Sequence, residues 1–305
     1  MEWFKDTNID FQRVRRAALS ISAVVILIGV LSLILHRGPN YSIDFLGGTT
    51  MQLRFENPVS EGDVRAVLGR LGLGDSEVKQ ASELGGVQEI LIRIKKTDIG
   101  EATVEEIKSA LNANFPGNPF EVRSVDSVGP KIGAELRTQA IWATLIALAG
   151  ILIYISIRFE FLFALAAVLA LFHDVLITLG IFSLLNKEIS LSIIAAFLTI
   201  VGYSLNDTIV VFDRIRENPK KLRAKALEEI INTSINQTLS RTIITGLTTL
   251  FALFVLYIFG GSVIRDFALA MIIGILIGTY SSIYIASPVL IEWHARAERL
   301  KKPKK

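Results

Sequence analysis

Six long apolar stretches punctuate the chain: Ala17 to Leu35, Ala140 to Ile157, Phe161 to Leu185, Leu191 to Val211, Thr242 to Phe259 and Phe267 to Ile291. Each is close to the ~20 residues that a helix needs to cross about 30 Å of hydrocarbon. A helix also satisfies its own backbone groups, as a lipid environment demands. The pattern therefore predicts a polytopic α-helical membrane protein with six transmembrane helices. Residues 36–139, between the first and second stretches, are the one large segment outside the membrane and suffice for one compact domain. Helices 2 to 6 then occupy residues 140–291.

Within residues 36–139 the period changes. Met51, Leu53 and Phe55 alternate with Thr50, Gln52 and Arg54, and Ile90, Ile92 and Ile94 repeat the alternation, so both runs read as half-buried strands. Between them Ser60 with Asp63 resembles a capping box, followed by Val64, Val67, Leu68 and Leu71 on one helical face. Thr103 with Glu106 opens a second helix that turns Val104, Ile107 and Leu111 inward. A weak strand at Glu77 to Ala81 and a last one at Phe120 to Ser127 complete a βαββαβ order, a ferredoxin-like α+β domain. Gly47-Gly48 reads as backbone that bends or approaches another chain closely, because no helix start follows it to cradle a phosphate. The domain carries no Walker loop, nucleophile elbow, His-Glu-x-x-His or metal-spaced Cys and His set. It reads as a contact surface, with no cofactor implied.

Composition agrees with this reading, since 51 % hydrophobic and 20 % charged residues over 305 positions are too apolar for a soluble domain of that size. Arg13, Arg15 and Arg16 precede the first stretch. No small-residue cleavage pattern follows it, so it reads as an uncleaved anchor. Four Lys and Arg precede the first span, seven lie between Phe212 and Arg241, and six follow Ile291, whereas the opposite short loops hold only Lys187 and Arg265. By the positive-inside rule residues 1–16 and the basic tail 292–305 are cytoplasmic and residues 36–139 are exported. Net charge of +3 is then a matter of topology and lipid headgroups, with no nucleic acid implied. The chain has no cysteine, so the exported domain relies on its core rather than on disulfides. Pro219 to Gln237 reads as an amphipathic cytoplasmic helix on the lipid surface, with Leu222, Ala226, Leu227, Ile230 and Ile231 on one side and Lys220, Lys221, Arg223 and Lys225 outside that face.

Candidate chemistry lies in the spans, where an ionisable group costs several kcal/mol unless it meets protein, water or a partner. On the fourth span Thr199, Tyr203, Asn206 and Asp207 recur at helical spacing and predict a polar stripe. The fifth span offers Arg241 at its cytoplasmic start, then Thr245, Thr248 and Thr249. At 1.5 Å rise per residue Asp207 and Arg241 enter from the same edge, which puts an ion pair within reach. Protonation of Asp207 would release it. The competing reading is a permanently paired packing residue, but a hydroxyl or amide would join helices at far lower desolvation cost than a carboxylate. Asp213, with Arg214 and Arg216, reads as an interfacial charge. For His173-Asp174, near mid-bilayer, a step in a proton path and a local polar contact both stand. Gly274, Gly278 and Ser282 form a small-xxx-small ridge for close helix packing.

Five motifs in order carry a family resemblance: Ile43-Asp44-Phe45-Leu46-Gly47-Gly48-Thr49, Val128 to Leu136, Phe172-His173-Asp174-Val175, Gly202 to Thr208, and Phe212 to Asn218. Together, across essentially the whole chain, they resemble the SecF family of the SecD–SecF complexes of bacterial protein export. One departure is Ser42, where that family often has Gly before Ile-Asp-Phe. The resemblance implies a resistance-nodulation-division-like bundle in the inner membrane that pairs with SecD and associates with the SecYEG channel. It would use the proton gradient to help draw a preprotein outward. It further implies that Asp207 is the proton-responsive carboxylate and Arg241 its basic partner, while His173 and Asp174 match a motif of the same family. The chain is thus expected to be a proton-driven transport subunit rather than an enzyme. Its rivals are a small-molecule/proton antiporter of the same superfamily and a passive scaffold subunit.

Overall fold

A computed structural model describes residues 7–82, 88–94, 101–221 and 226–301. Among the described residues six helices are long and apolar enough to cross a membrane. The first is α1 (Arg15–Leu35), after a short 3-10 turn at Gln12–Val14. Strand β1 (Asn40–Tyr41) and the one-turn helix α2 (Ile43–Leu46) lead into the α+β domain: β2 (Gly48–Phe55), α3 (Glu61–Arg70), β3 (Glu77–Ser82), β4 (Gln88–Ile94), α4 (Glu101–Asn114) and β5 (Phe120–Val128). Then follow α5 (Pro130–Arg158), α6 (Phe161–Leu184), β6 (Glu188–Ile189), α7 (Leu191–Lys221), α8 (Leu227–Phe259), α9 (Ser262–Ser281), a π-helical turn at Ser282–Ala286 and α10 (Ser287–Lys301).

The expected βαββαβ domain is present as an antiparallel sheet in the order β3-β4-β2-β5. Register follows the hydrophobic alternation, with Met51 opposite Ile92 and Leu53 opposite Ile90. Those side chains form the dry face against Val64 and Leu68 of α3 and Ile107 and Leu111 of α4. The Ser60 hydroxyl accepts from the Asp63 amide at 3.1 Å and donates to its carboxylate at 2.7 Å, which caps α3. The other sheet face is polar and looks toward the bundle across a cleft of about 620 Å³ lined by Thr50, Gln52, Arg93, Asp44, Glu188 and Asp266. Arg93 bridges it, pairing with Glu188 and, at 3.4 Å, with Glu77. Burial lowers the pKa of the Arg93 guanidinium, an effect opposed by the negative charges of Glu77, Asp44 and Asp266.

Three element boundaries differ from those expected. The helix that carries the second apolar stretch begins at Pro130, ahead of Ala140: Gly129 is extended and Pro130 starts the helix, a position where its missing N–H costs nothing. The separate amphipathic helix over 219–237 is absent among the described residues. Helix α7 runs on through Pro219 to Lys221, and Leu227 to Gln237 form the first turns of α8, continuous with the fifth span; Leu222, Arg223 and Lys225 lie outside the described residues. The apolar face of this segment is covered by protein rather than lipid. Ile231 and Ile235 pack in the core with Phe212 and Ile215, and Asn218 Nδ2 donates to Ser234 Oγ at 2.7 Å and to Gln237 Oε1 at 3.0 Å. The last span, expected as one helix, changes pitch at Ser282–Ala286. Pro288 lacks the N–H that the Tyr284 carbonyl would otherwise accept, and Ser287 Oγ donates to the Ser282 carbonyl at 2.8 Å in its neighbourhood.

Small residues set the helix crossings. A Cβ on Gly278 would stand 2.9 Å from Ser204 Cβ, and one on Gly274 would stand 2.3 Å from the Ile200 side chain, so the predicted ridge brings α9 onto α7. Gly29 and Gly180 do the same for α1 and α6, where a Cβ on either would lie 2.8 Å from the other's Cα. Ser32 and Ser183 join hydroxyls at 2.8 Å nearby.

Candidate functional site

Two buried carboxylates, Asp174 of α6 and Asp207 of α7, each contact α9, and their surroundings differ. Ser190 begins α7 by accepting from the Ile193 amide at 3.3 Å. Along that helix Ile193, Ala196 and Ile200 pack in the bundle core. Ser204 and Asp207 follow on the buried side, Asp207 only 2 % exposed. Thr279 of α9 supplies a hydroxyl contact to the Asp207 carboxylate. Its Oδ2 is buried without a hydrogen-bond partner among the described residues, as is the hydroxyl of the adjacent Thr208. An unpartnered carboxylate oxygen in such a place is costly and cannot be a packing optimum.

Arg241 does not form the expected ion pair. It stands at the exposed side of α8 and acts on Asp207 only through space, with no direct salt bridge between them among the described residues. The predicted stripe on the fourth span is likewise divided. Thr199 and Asn206 face outward. Tyr203 turns to α8, donating to the Thr245 carbonyl at 2.9 Å and lying 3.3 Å from Thr249 Oγ1. Thr245 thus contributes its backbone, while its hydroxyl bonds back to the Arg241 carbonyl at 2.9 Å. A helical period of 3.6 spreads positions 199, 203, 206 and 207 over a broad arc, and three neighbours divide that arc. Asp213 lies about two turns before the end of α7 and pairs with Arg158 at 3.0 Å.

Asp174, by contrast, is fully buried and fully engaged. Its Oδ2 accepts from Ser204 Oγ at 2.6 Å and Ser281 Oγ at 2.8 Å, and its Oδ1 lies 2.8 Å from His173 Nδ1. His173 Nε2 in turn lies 3.0 Å from Ser22 Oγ, and Ser22 lies 3.0 Å from Tyr280 Oη. The direction of this chain can be deduced. Tyr280 has one hydroxyl proton and donates it to the Ala18 carbonyl at 2.7 Å, so Ser22 must donate to Tyr280, and His173 Nε2 must donate to Ser22. Between Nδ1 and Oδ1 one proton is then shared, and the His173–Asp174 dyad is neutral overall. Neutrality is what a site in hydrocarbon favours. The network joins α1, α6, α7 and α9.

His173 and Asp174 stand out in the sequence as ionisable residues in a span, whereas nothing in the pattern marks Ser22, Ser204, Thr279, Tyr280 and Ser281 as their partners. A serine in an apolar helix bonds its own turn as readily as a neighbour's carboxylate, and Ser282, which the spacing favoured, donates to the Thr279 carbonyl of its own helix at 2.9 Å. Ser281 is the residue that reaches Asp174. The faint signal was the proximity of Tyr280 and Ser281 to the Gly274–Gly278 ridge. Helix α9 thus touches both centres, Asp207 through Thr279 and Asp174 through Ser281, immediately before the π turn.

Residues 107–296 match the family model of the protein export membrane protein SecD/SecF, C-terminal, and residues 32–59 match the SecD/SecF GG motif. The chain is 49 % identical to the protein translocase subunit SecF of Thermodesulfovibrio yellowstonii, over 93 % of this chain and 94 % of that one. It is 48 % identical to the subunit of the same name from Calditerrivibrio nitroreducens, over 92 % and 93 %. The crystal structure of SecDF, a translocon-associated membrane protein from Thermus thermophilus, superposes with a TM-score of 0.85 at 42 % identity, covering 96 % of this chain. This chain spans only 40 % of that SecDF chain. Sequence, topology and superposition agree that this multi-pass membrane protein belongs to the SecD/SecF protein-export family, within its SecF branch of translocase subunits.

Proposed function

We propose that the chain is the SecF half of a proton-driven export motor. It pairs with SecD beside the SecYEG channel in the bacterial inner membrane, with both termini cytoplasmic and residues 36–139 exported. Asp207 is its proton-responsive group. The observation that carries this is the contrast between the two carboxylates: Asp174 has every oxygen occupied, while Asp207 has a buried oxygen without a partner among the described residues. A group with an unmet bond gains by taking up a proton or a cation. Arg241 has no direct salt bridge to Asp207 among the described residues, and the engaged geometry would be a second state of the bundle. The neutral His173–Asp174 dyad, tied through Ser204 and Ser281 to the helices that carry Asp207 and Thr279, couples the same rearrangement to α1 and α6.

A second bundle against α7 and α8 is supported by the outward polar groups Thr199, Asn206, Arg241 and Thr248, which sit beside exposed Ile244, Leu247 and Phe251. Thr199 and Thr248 bond back to the Ala195 and Ile244 carbonyls of their own helices, so it is the Asn206 amide and the Arg241 guanidinium that lipid would leave poorly matched. Each proton that crosses the full potential supplies about 2.3 kcal/mol per 100 mV, enough to bias two conformations a few kcal/mol apart. The test is preprotein export into inverted membrane vesicles that hold the chain with SecD, with and without a proton gradient. Asp207→Asn, inserted and co-purifying normally, is expected to lose the gradient-dependent stimulation. Undiminished stimulation would refute the role of Asp207.

A further inference from the structure

The motifs Ile43 to Thr49 and Val128 to Leu136 take no part in the carboxylate chemistry, yet the fold brings them together at one place. The Asp44 carboxylate accepts from the Leu191 amide at 2.9 Å, which occupies the first free N–H of α7. Its negative charge also lies at the positive end of that helix. Asp44 itself is held from behind, since Ser42 Oγ accepts from the Asp44 amide at 3.2 Å. Ser42, the departure from glycine, thus caps α2 in extended backbone that any residue adopts. The flanking chain is pinned in three directions. Toward the bundle, β1 pairs in parallel with β6, and the Ser42 amide donates to the Ile189 carbonyl at 3.0 Å. Toward α5, a Cβ on Gly133 would stand 3.1 Å from the Gly47 nitrogen and 3.2 Å from the Phe45 carbonyl, while Arg137 lies over the Tyr41 ring at 5.4 Å. Toward the sheet, Gly47 and Gly48 hold φ of 76° and 132°, and a Cβ on Gly48 would stand 2.5 Å from the Ile94 carbonyl oxygen. Only glycine permits that approach.

We infer that Asp44 is a positioning residue that makes the root of the α+β domain and the first turn of α7 one rigid joint, so that any displacement of α7 is passed to the domain. The geometry favours this over a local cap for two reasons. Ser190 already caps the third amide of α7 from within its own loop, so the Asp44 contact is an additional one that comes from the far side of a domain boundary. Across the same boundary Arg93 of the sheet pairs with Glu188, three residues before Leu191. The two links clamp the α6–α7 loop from both sides. Helix α7 is the one that carries Asp207, so the functional meaning of the joint rests on the role proposed for that residue.

The joint can be measured without reference to protons. The chain has no native cysteine, so nitroxides can be placed at Ser109→Cys on the outer side of α4 and Ala195→Cys on α7, both exposed, in the complex with SecD in nanodiscs. The joint requires a narrow interspin distance distribution in the otherwise wild-type chain, a clearly broadened or shifted one in Asp44→Ala, and recovery in Asp44→Asn, which keeps an acceptor oxygen. The Leu191 amide should exchange roughly tenfold faster in Asp44→Ala, as expected for a lost cap, with β2 amides unchanged as a control on domain folding. An unaltered distribution in Asp44→Ala would overturn the inference, as would equal disturbance by Asp44→Asn with β2 protection intact. If Asp207→Asn exports normally while Asp44→Ala loosens the domain, the proton role fails and the joint stands.

Discussion

The neutral dyad leads to a prediction in which two substitutions at one position behave very differently. Asp174→Ala removes the acceptor for Ser204 and Ser281 and the partner of His173 Nδ1, in a site with no exposure to solvent. Interhelical hydrogen bonds in membranes contribute about 0.6 kcal/mol on average and up to ~1.7, so three lost contacts amount to about 2–5 kcal/mol. Ser281 can fall back on the Gly278 carbonyl, already at 3.1 Å, which places the expectation at about 2–3 kcal/mol. Asp174→Asn keeps the count of protons and bonds: its carbonyl can receive both serine hydroxyls, and its amide can donate to His173 Nδ1 in the tautomer that the Tyr280 chain enforces. It should stay within about 1 kcal/mol of wild type. The assay is reversible unfolding of the purified chain by sodium dodecyl sulfate in mixed micelles, followed by helical circular dichroism. Equal stability of Asp174→Ala and wild type, or equal loss from Asn and Ala, would refute the proton assignment. A stable Asp174→Asn chain that fails in gradient-driven export would further place the shared proton in the working cycle.

Gly278→Val adds a Cβ 2.9 Å from Ser204 and must push α9 from α7; a loss of about 1–3 kcal/mol in the same unfolding assay is expected, with Gly246→Ala, whose Cβ would meet only Thr279 at 3.9 Å, close to neutral. Gly48→Ala combines a φ of 132° with a Cβ 2.5 Å from the Ile94 carbonyl, so β2 and β4 amides should lose protection by about 1–3 kcal/mol in hydrogen exchange. Arg93→Ala strands the half-buried Glu188 and removes a clamp between domain and bundle. Limited proteolysis should then cut faster near residues 186–190, and Arg93→Lys should recover only part of the protection because Glu77 and Glu188 share the guanidinium. Cleavage at the wild-type rate in Arg93→Ala would show that the pair holds nothing in place.

The spans, the βαββαβ order of elements and the acidic residues are legible in the sequence because each follows from local pattern. Lipid imposes ~20-residue apolar helices, alternation at Met51–Phe55 and Ile90–Ile94 imposes a one-sided sheet, and Asp174 and Asp207 stand out by the cost of a carboxylate in hydrocarbon. What those carboxylates touch was decided by tertiary structure. Helical period places Ser204, Ser281, Ser282 and Thr279 on arcs, but which arc faces a partner depends on how closely Gly274 and Gly278 let α9 approach α7 and on where the π turn resets the register of the last span. The same holds for Arg241, within reach by rise per residue yet turned to the exposed side of α8. The amphipathic pattern over 219–237 suits a lipid surface by sequence because an apolar stripe looks the same whether lipid or another helix covers it; over 227–237 α7 covers it. Asp44 shows the limit most clearly, since its partner, the Leu191 amide, is 147 residues away. Sequence pattern carries the periods that build each element, whereas contacts between elements depend on distances that no local period encodes.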